Sequence, residues 1–209
     1  MNPTKSAITE FREALESEAT TYGITLTASD LNRLSTYYEL LNAWNSRLHL
    51  VAPSSPKVFA TRHVLESLFL LNYLPEDARI ADIGSGAGLP VIPCLISRPD
   101  LQAVLIEASK KKAVFLREAL HATATSKRAS VMAERFENID SPDVEIVTSR
   151  ALERFEQMLP QLLTWAPGGK LLLFGGEGLE MKIEESGFAF AKNLIPKSKR
   201  RFLFLISKL

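Results

Sequence analysis

The sequence predicts an α/β protein: a mostly parallel, seven-stranded open sheet that closes with a C-terminal antiparallel hairpin and is preceded by N-terminal helices. Three observations predict it. Residues 79–90 pass from an apolar run into glycines at alternate positions (Gly84, Gly86, Gly88), and the apolar stretch 91–96 follows. Beyond it, short apolar runs alternate with helical patterns. At the end, residues 188–195 and 202–206 flank Pro196-Lys197-Ser198-Lys199, a connection too short for a crossover helix, so the pair reads as a hairpin.

The N-terminal part reads as helical. Ile8, Phe11, Leu15 and Tyr22 recur at helical steps, and Gly23 is a natural stop. Thr27-Ala28-Ser29-Asp30 looks like an N-cap with an acid three residues on, ahead of a stripe through Leu31, Leu34, Tyr38, Leu41 and Leu48. Pro53 and Pro56 break it, and a third helix is predicted from about Lys57 to Asn72. Each helix has a face to bury, so residues 1–75 are expected to form a helical cap or subdomain before a sheet domain at 76–209. In that domain, strands are predicted at 80–83, 103–106, 130–132, 144–148 and 170–174, before the closing pair. Helices run from the glycine loop to about Ser97, from a Ser109 cap through Lys110, Phe115, Leu116 and Leu120, over Phe155 to Trp165, and near Glu180 to Glu185. Arg98-Pro99-Asp100, Ser141-Pro142-Asp143 and Pro167-Gly168-Gly169 are the turns.

A chain of 209 residues suffices for one domain with a substantial core and a small extension. With 46% hydrophobic and 23% charged residues it has the composition of an ordinary soluble protein. A net charge of +1 gives no global pull on nucleic acid. The basic residues are local: Lys110-Lys111-Lys112, Lys127-Arg128, and Lys197 with Lys199-Arg200-Arg201. Singly each reads as a solvated face; together, with Arg47 and Arg62, they can hold phosphates. A lone cysteine, Cys94, excludes an internal disulfide and fits a reducing cytosol. Residues 1–22 lack the apolar centre of a signal peptide, and no window is long and apolar enough to span a bilayer. His49, His63 and His121 show no metal-ligand spacing, so no metal is expected. No long apolar stripe is left over, which makes a monomer the default.

The glycine loop between strand and helix has the form of a cofactor loop. Gly-x-Gly-x-Gly occurs in nicotinamide and flavin enzymes and in S-adenosylmethionine-dependent methyltransferases. Glu107 ends the second predicted strand nineteen residues after Gly88, where a carboxylate can accept from ribose hydroxyls. A dinucleotide loop commonly needs Gly or Ala at its sixth position; here Leu89-Pro90 follows instead, and the closing hairpin is the usual end of a methyltransferase sheet. Adenosylmethionine is therefore preferred, and Asp82 then lies near its methionine end, or is satisfied by loop N–H groups. A nicotinamide-binding oxidoreductase is the alternative of a different class.

Asp82-Ile83-Gly84-Ser85-Gly86-Ala87-Gly88-Leu89-Pro90-Val91-Ile92-Pro93 resembles the signature of the bacterial small-subunit rRNA methyltransferase G family, also called glucose-inhibited division protein B. The resemblance covers most of the chain. It includes Trp44-Asn45, residues 48–51, the arginine-histidine stretch 62–67, Glu107 to Lys112 with Phe115-Leu116, Ala133-Glu134, Ser149-Arg150-Ala151 and residues 201–208. It implies a Rossmann-like class I methyltransferase fold in the cytoplasm. The implied reaction is adenosylmethionine-dependent methylation of N7 of a guanine in 16S rRNA near the decoding centre, with 16S rRNA or the small ribosomal subunit as partner. Carried over by position, Gly84, Leu89, Ala133, Glu134 and Arg150 are cofactor-binding, beside Asp82, Gly86, Gly88 and Glu107 of the loop reading. Arg150 is the expected catalytic residue, reaching the cofactor carboxylate or the guanine. Arg62, His63, Lys110 and Arg201 are the expected RNA contacts, with Tyr37 and Trp44 as stacking platforms or core. The chain departs from the family pattern at His49 (usually Asn), Val51 (Thr), Glu66 (Asp), Met132 (Arg) and Gly175 (Lys). Those departures keep two further readings open: a methyltransferase acting on another RNA or a small molecule, and a non-catalytic rRNA-binding relative.

Overall fold

Local chemistry sets the first helices. Thr4 caps α1 (Lys5–Glu18), its hydroxyl accepting from the Ala7 N–H at 3.2 Å, and a 3₁₀ turn carries the chain to Gly23, where φ is 73°. α2 (Ala28–Leu48) starts with a full capping box: Thr27 Oγ1 accepts from the Asp30 N–H at 3.1 Å, and Asp30 Oδ2 accepts from the Thr27 N–H at 2.9 Å. The third helix begins at Ser55-Pro56, one residue before the expected start, and is composite. α3 (Pro56–Phe59) runs into a π segment over Ala60–Leu65, then α4 (Glu66–Leu68), then a 3₁₀ turn over Phe69–Tyr73. This computed structural model describes residues 3–150, 155–166 and 170–207.

The strands are β1 (Arg79–Ile83), β2 (Gln102–Ile106), β3 (Ala129–Met132), β4 (Ile146–Ser149), β5 (Lys170–Gly175), β6 (Phe190–Leu194) and β7 (Phe202–Ser207). They form one sheet in the order β3-β2-β1-β4-β5-β7-β6. Every neighbouring pair from β3 to β5 is parallel; β7 runs antiparallel to both β5 and β6. β4 starts two residues later than its apolar pattern predicts, because Glu145 lies at the sheet margin, bonded to Arg79. β6 likewise starts at Phe190 rather than Phe188. α5 (Val91–Ser97), α6 (Lys110–Ala122), α7 (Phe155–Trp165) and α8 (Glu177–Glu185) complete the alternation, and α8 begins earlier than its apolar pattern shows. The turn expected at Pro167-Gly168-Gly169 lies outside the described residues.

The sheet separates two apolar clusters. On one face Ile80, Leu105, Leu172 and Phe174 pack with α5 and α6 residues and with Phe11, Leu34, Tyr38 and Leu65 of the N-terminal helices. On the other, Ala81, Ile83, Val147, Leu171 and Leu173 pack with Leu159 and Leu162 of α7 and Leu179 and Ile183 of α8. The period-two alternation along β1 and β5 assigns each residue its face. The N-terminal helices thus share a core with the sheet. At Gly175 an added Cβ would lie 2.4 Å from Leu179 Cδ2, so α8 occupies the space of a side chain.

Candidate functional site

Strand order reverses between β1, which continues through β2 to β3, and β4, which leads to β5. A ligand crevice is expected outside the carboxyl ends of the strands at such a point. A cleft of about 600 Å³ opens there. The glycine loop forms its floor. Gly86 has φ 53°, and a Cβ built on it meets only the Gly84 carbonyl at 3.6 Å, so the loop leaves this side open to a ligand. Gly88 serves packing instead, with φ at 81° and a position where a Cβ would stand 2.4 Å from Ile92 Cδ1. It lets the loop close onto α5 and does not line the cleft.

Glu107 holds the loop from the end of β2. Its Oε2 accepts from the Gly86 N–H and its Oε1 from the Ser109 N–H, both at 2.8 Å. Each oxygen keeps a further lone pair toward the cleft, which Glu107 lines. From the other side, Tyr37 of α2, fully buried, donates to the Ala87 carbonyl at 2.6 Å. Burial pushes its phenol well above the usual range and keeps it a donor. Tyr37 is therefore a prop under the loop and not a stacking platform for a base. Trp44 packs edge-on against Phe115, half-buried.

Asp82 does not reach the cleft. Its carboxylate is fully buried behind the loop and both oxygens lack a hydrogen-bond partner. The loop N–H groups that were expected to satisfy it are used elsewhere: those of Gly84 and Ser85 on the Ile106 carbonyl, that of Gly86 on Glu107, and that of Gly88 on the Ser85 carbonyl. Burial is the main cause that pushes its pKa up to about 8, and the Glu107 charge adds to it; the Ser85 hydroxyl donates to the Asp82 carbonyl at 2.9 Å and not to the carboxylate. A folded pKa above the unfolded value means that the native state holds the extra proton. The stability this contributes is full below about pH 4 and is lost as pH rises through about 8. His63 works in the opposite sense. Burial, with Arg150, Arg62 and Arg201 nearby, lowers its pKa to about 4, so its neutral form contributes stability that is lost as pH falls below about 6.5. The two slopes oppose each other below about pH 6.5, and only that of Asp82 remains above it. Between pH 6.5 and 8.5 the wild-type melting temperature is therefore expected to fall, and Asp82→Asn is expected to flatten that fall. A thermal melt series on both proteins checks it; equal slopes would show that Asp82 is ionised already.

Arg150, at the end of β4, ties the cleft to the composite helix. One terminal nitrogen donates to the His63 carbonyl and to Ser67 Oγ, each at 2.9 Å. The other donates to the Arg62 carbonyl and to Glu66 Oε2, the latter at 3.2 Å. The π segment leaves these carbonyls at the wall of the cleft, where a guanidinium fork reaches them. Glu66, buried, also takes Arg201, with a 2.5 Å contact from Nη2 to Oε1. Both terminal nitrogens of Arg150 are thus engaged by the protein, so the side chain holds the wall rather than standing free. In the sequence the i,i+4 spacings Arg62–Glu66 and His63–Ser67 read equally as pairs within one helix or as substrate contacts. In the π segment the bonds step by five residues; Glu66 turns to Arg150 and Arg201, and Ser67 Oγ donates to the His63 carbonyl.

The cleft brings together Gly84, Gly86, Leu89, Glu107, Glu134, Arg150 and His63 of the expected residues. Ala133 is not part of its lining. Lys110 is exposed at the start of α6, and Lys112 is the lysine that faces the cleft. Arg62 and Arg201 line a separate cavity. Leu50, Val51, Ile106 and Phe136 supply apolar walls that the motifs left unassigned. The Leu50–Val51 segment is pinned by Asn45, whose amide donates to the Val51 carbonyl and accepts from its N–H, both at 3.0 Å. Among the described residues, no group of three His, Cys, Asp or Glu side chains is placed to hold a metal ion, and no helix is long and apolar enough to cross a membrane.

These residues fit adenosylmethionine. A buried carboxylate with acceptor capacity for hydroxyl groups lines the cleft, apolar walls flank it, and a backbone without Cβ atoms leaves room for a ligand. Comparison with known proteins agrees. A ribosomal protein L11 methylase from Lactobacillus delbrueckii subsp. bulgaricus has a TM-score of 0.58 at 13% identity, covering 70% of this chain and 78% of that one. A precorrin-6y C5,15-methyltransferase from Geobacter metallireducens GS-15 has a TM-score of 0.54 at 15% identity, covering 69% and 88%. At such identities the likeness shows the Rossmann-like methyltransferase fold alone. Sequence relatives go further. The ribosomal RNA small subunit methyltransferase G of Sorangium cellulosum is 38% identical over 81% of this chain and 74% of its own. That of Halorhodospira halophila is 35% identical over 83% of each. Residues 30–203 match the family described as GidB, rRNA small subunit methyltransferase G. The chain belongs to that family of adenosylmethionine-dependent enzymes.

Proposed function

We propose that this protein methylates N7 of a guanine in 16S rRNA, near the decoding centre, and works as a monomer in the cytoplasm on rRNA or on a small-subunit particle. The observation that carries the reading is the Glu107 carboxylate, seated on the Gly86 and Ser109 N–H groups at the floor of the 600 Å³ cleft. Bound adenosylmethionine supplies an electrophilic methyl group on a sulfonium. The residues of the chain bind and orient. Glu107 accepts from the ribose hydroxyls, Leu89, Ile106 and Phe136 cover apolar surface, and Glu134 offers an acceptor at the far end of the cleft. Guanine N7 has a free lone pair, so no side chain has to remove a proton before transfer, and placement is the main demand. His63 suits that demand: its lowered pKa keeps it neutral at pH 7, adding no charge beside the reacting centre.

The test is transfer of labelled methyl from adenosylmethionine to small-subunit rRNA from cells lacking this protein, followed by mass mapping of the modified nucleotide. Label on a guanine N7 is the expected result. Label on another base or on no RNA overturns the assignment. Adenosylhomocysteine should raise the melting temperature and NAD should not, by about 2.7 kcal/mol of stabilisation at a hundredfold excess over Kd. Stabilisation by NAD would favour the oxidoreductase reading.

A further inference from the structure

A second cavity, of about 380 Å³, lies beside the first and shares none of its lining residues. The composite helix separates the two. Arg62 lines the second cavity, His63 beside it lines the cleft, and the Arg62 carbonyl accepts from the cleft residue Arg150. Arg62 and His63 are neighbours in the chain, so the two sites meet across this one helix. It adjoins the Arg150 and His63 end of the cleft, away from Glu134 and Phe136.

The lining is charged unevenly. Four cations face it, Lys57, Arg62, Lys197 and Arg201, against two carboxylates, Glu18 and Glu66. Both carboxylates are taken: Glu18 pairs with Lys197, and Glu66 with Arg201 and Arg150. Lys57 and Arg62 have no carboxylate partner among the described residues; Glu10 approaches only the Lys57 backbone N–H, at 3.3 Å. Both are exposed, and they sit about one and a half helical turns apart on one helix. Tyr22 also lines the cavity, and burial with the nearby Glu66 and Glu18 raises its pKa to about 12, so it stays a donor. Two cations without counter-charge in a concave site select an anion. The two carboxylates in the same wall disfavour a dianion and suit a single negative charge.

We propose that this cavity seats one backbone phosphodiester of the RNA strand next to the methylated guanine, with Lys57 and Arg62 as its direct contacts. The proposal rests on the rRNA reading above. An enzyme that acts on a base takes it out of the stack, and its sugar-phosphate chain then has to leave the site along the wall of the pocket. Here the wall at the Arg150 end leads directly onto Arg62. Phosphate contacts fix register and carry no sequence information, which is the role of a site outside the base pocket.

The test uses the full chain and small-subunit rRNA, with Lys57→Gln/Arg62→Gln compared with Lys5→Gln, a charge removed from the exposed start of α1. The double variant is expected to raise KM for rRNA about tenfold or more. It should flatten the dependence of log KM on log salt by about 1.4, or 0.7 for each lost contact to a single strand. Its affinity for adenosylhomocysteine should stay within about twofold. A KM and salt slope equal to those of Lys5→Gln would overturn the proposal. Inorganic phosphate raising the melting temperature of wild type but not of the double variant, with KM for rRNA unmoved, would assign the site to a free anion and overturn the RNA occupant. If wild type itself transfers no methyl to rRNA, the functional reading falls and the RNA occupant with it.

Discussion

Arg150→Ala is expected to lower kcat/KM for rRNA methylation by about a hundredfold or more and to destabilise the fold at the same time. The side chain is only 16% exposed and serves the Arg62 and His63 carbonyls, Ser67 and Glu66. Truncation removes all four contacts and leaves Glu66 with Arg201 alone. Breaking a buried ion pair from one side costs about 3–5 kcal/mol, and the surviving Arg201 partner places this case near the lower bound. For a chain of this size about 3 kcal/mol corresponds to a melting temperature lower by roughly 6–12 °C. The catalytic loss follows from displacement of the His63 wall, since a misplacement of about 1 Å costs on the order of a hundredfold. Arg150→Lys separates charge from shape: an ammonium keeps the charge near Glu66 but has no fork to span two carbonyls and a hydroxyl. Lysine is expected to recover part of the stability and little of the rate. Full turnover by Arg150→Ala at a temperature where it is folded would remove the residue from the mechanism.

Glu107→Gln is expected to weaken adenosylhomocysteine binding by about 10- to 100-fold, with little change in the secondary structure seen by circular dichroism. Glu107 accepts from a backbone N–H on each oxygen. An amide in its place presents one NH₂ to one of those N–H groups whichever way it is flipped, so one donor faces another. It also offers the ribose a neutral acceptor in place of a carboxylate. Hydrogen bonds to a charged group contribute about 1.5–3 kcal/mol, which converts to that range of affinity. Titration calorimetry on both proteins measures it. Unchanged affinity would mean that Glu107 shapes the loop and does not touch the ligand.

The parts of the site carried by one short stretch were readable in advance. The capping box at Thr27–Asp30, the glycine loop, Glu107 at a strand end and the closing hairpin all follow from neighbouring residues, because turn geometry, caps and strand period are local properties. Boundaries moved by one or two residues where a charged side chain met the sheet margin, as at Glu145. The composite helix was legible as a helix but not as a π segment, since an i→i+5 step has no signature in apolar spacing. Around that segment Glu66 pairs with Arg150 and Arg201, and His63 faces the cleft.

By itself the sequence determined the order of elements, the cofactor loop, the acid that completes it and, through its ordered motifs, the family. Each of these is written in residues close together along the chain. Only the tertiary structure decided that Asp82 is buried outside the cleft lining, that Tyr37 supports the loop and that Arg150 is engaged by Glu66 and the helix carbonyls. It alone separated Arg62 and Arg201 from the cleft into a cavity of their own. Those outcomes depend on which side of β1 a side chain leaves and on contacts between residues 50 to 135 positions apart. Strand alternation sets the first and packing of the N-terminal helices against the sheet sets the second.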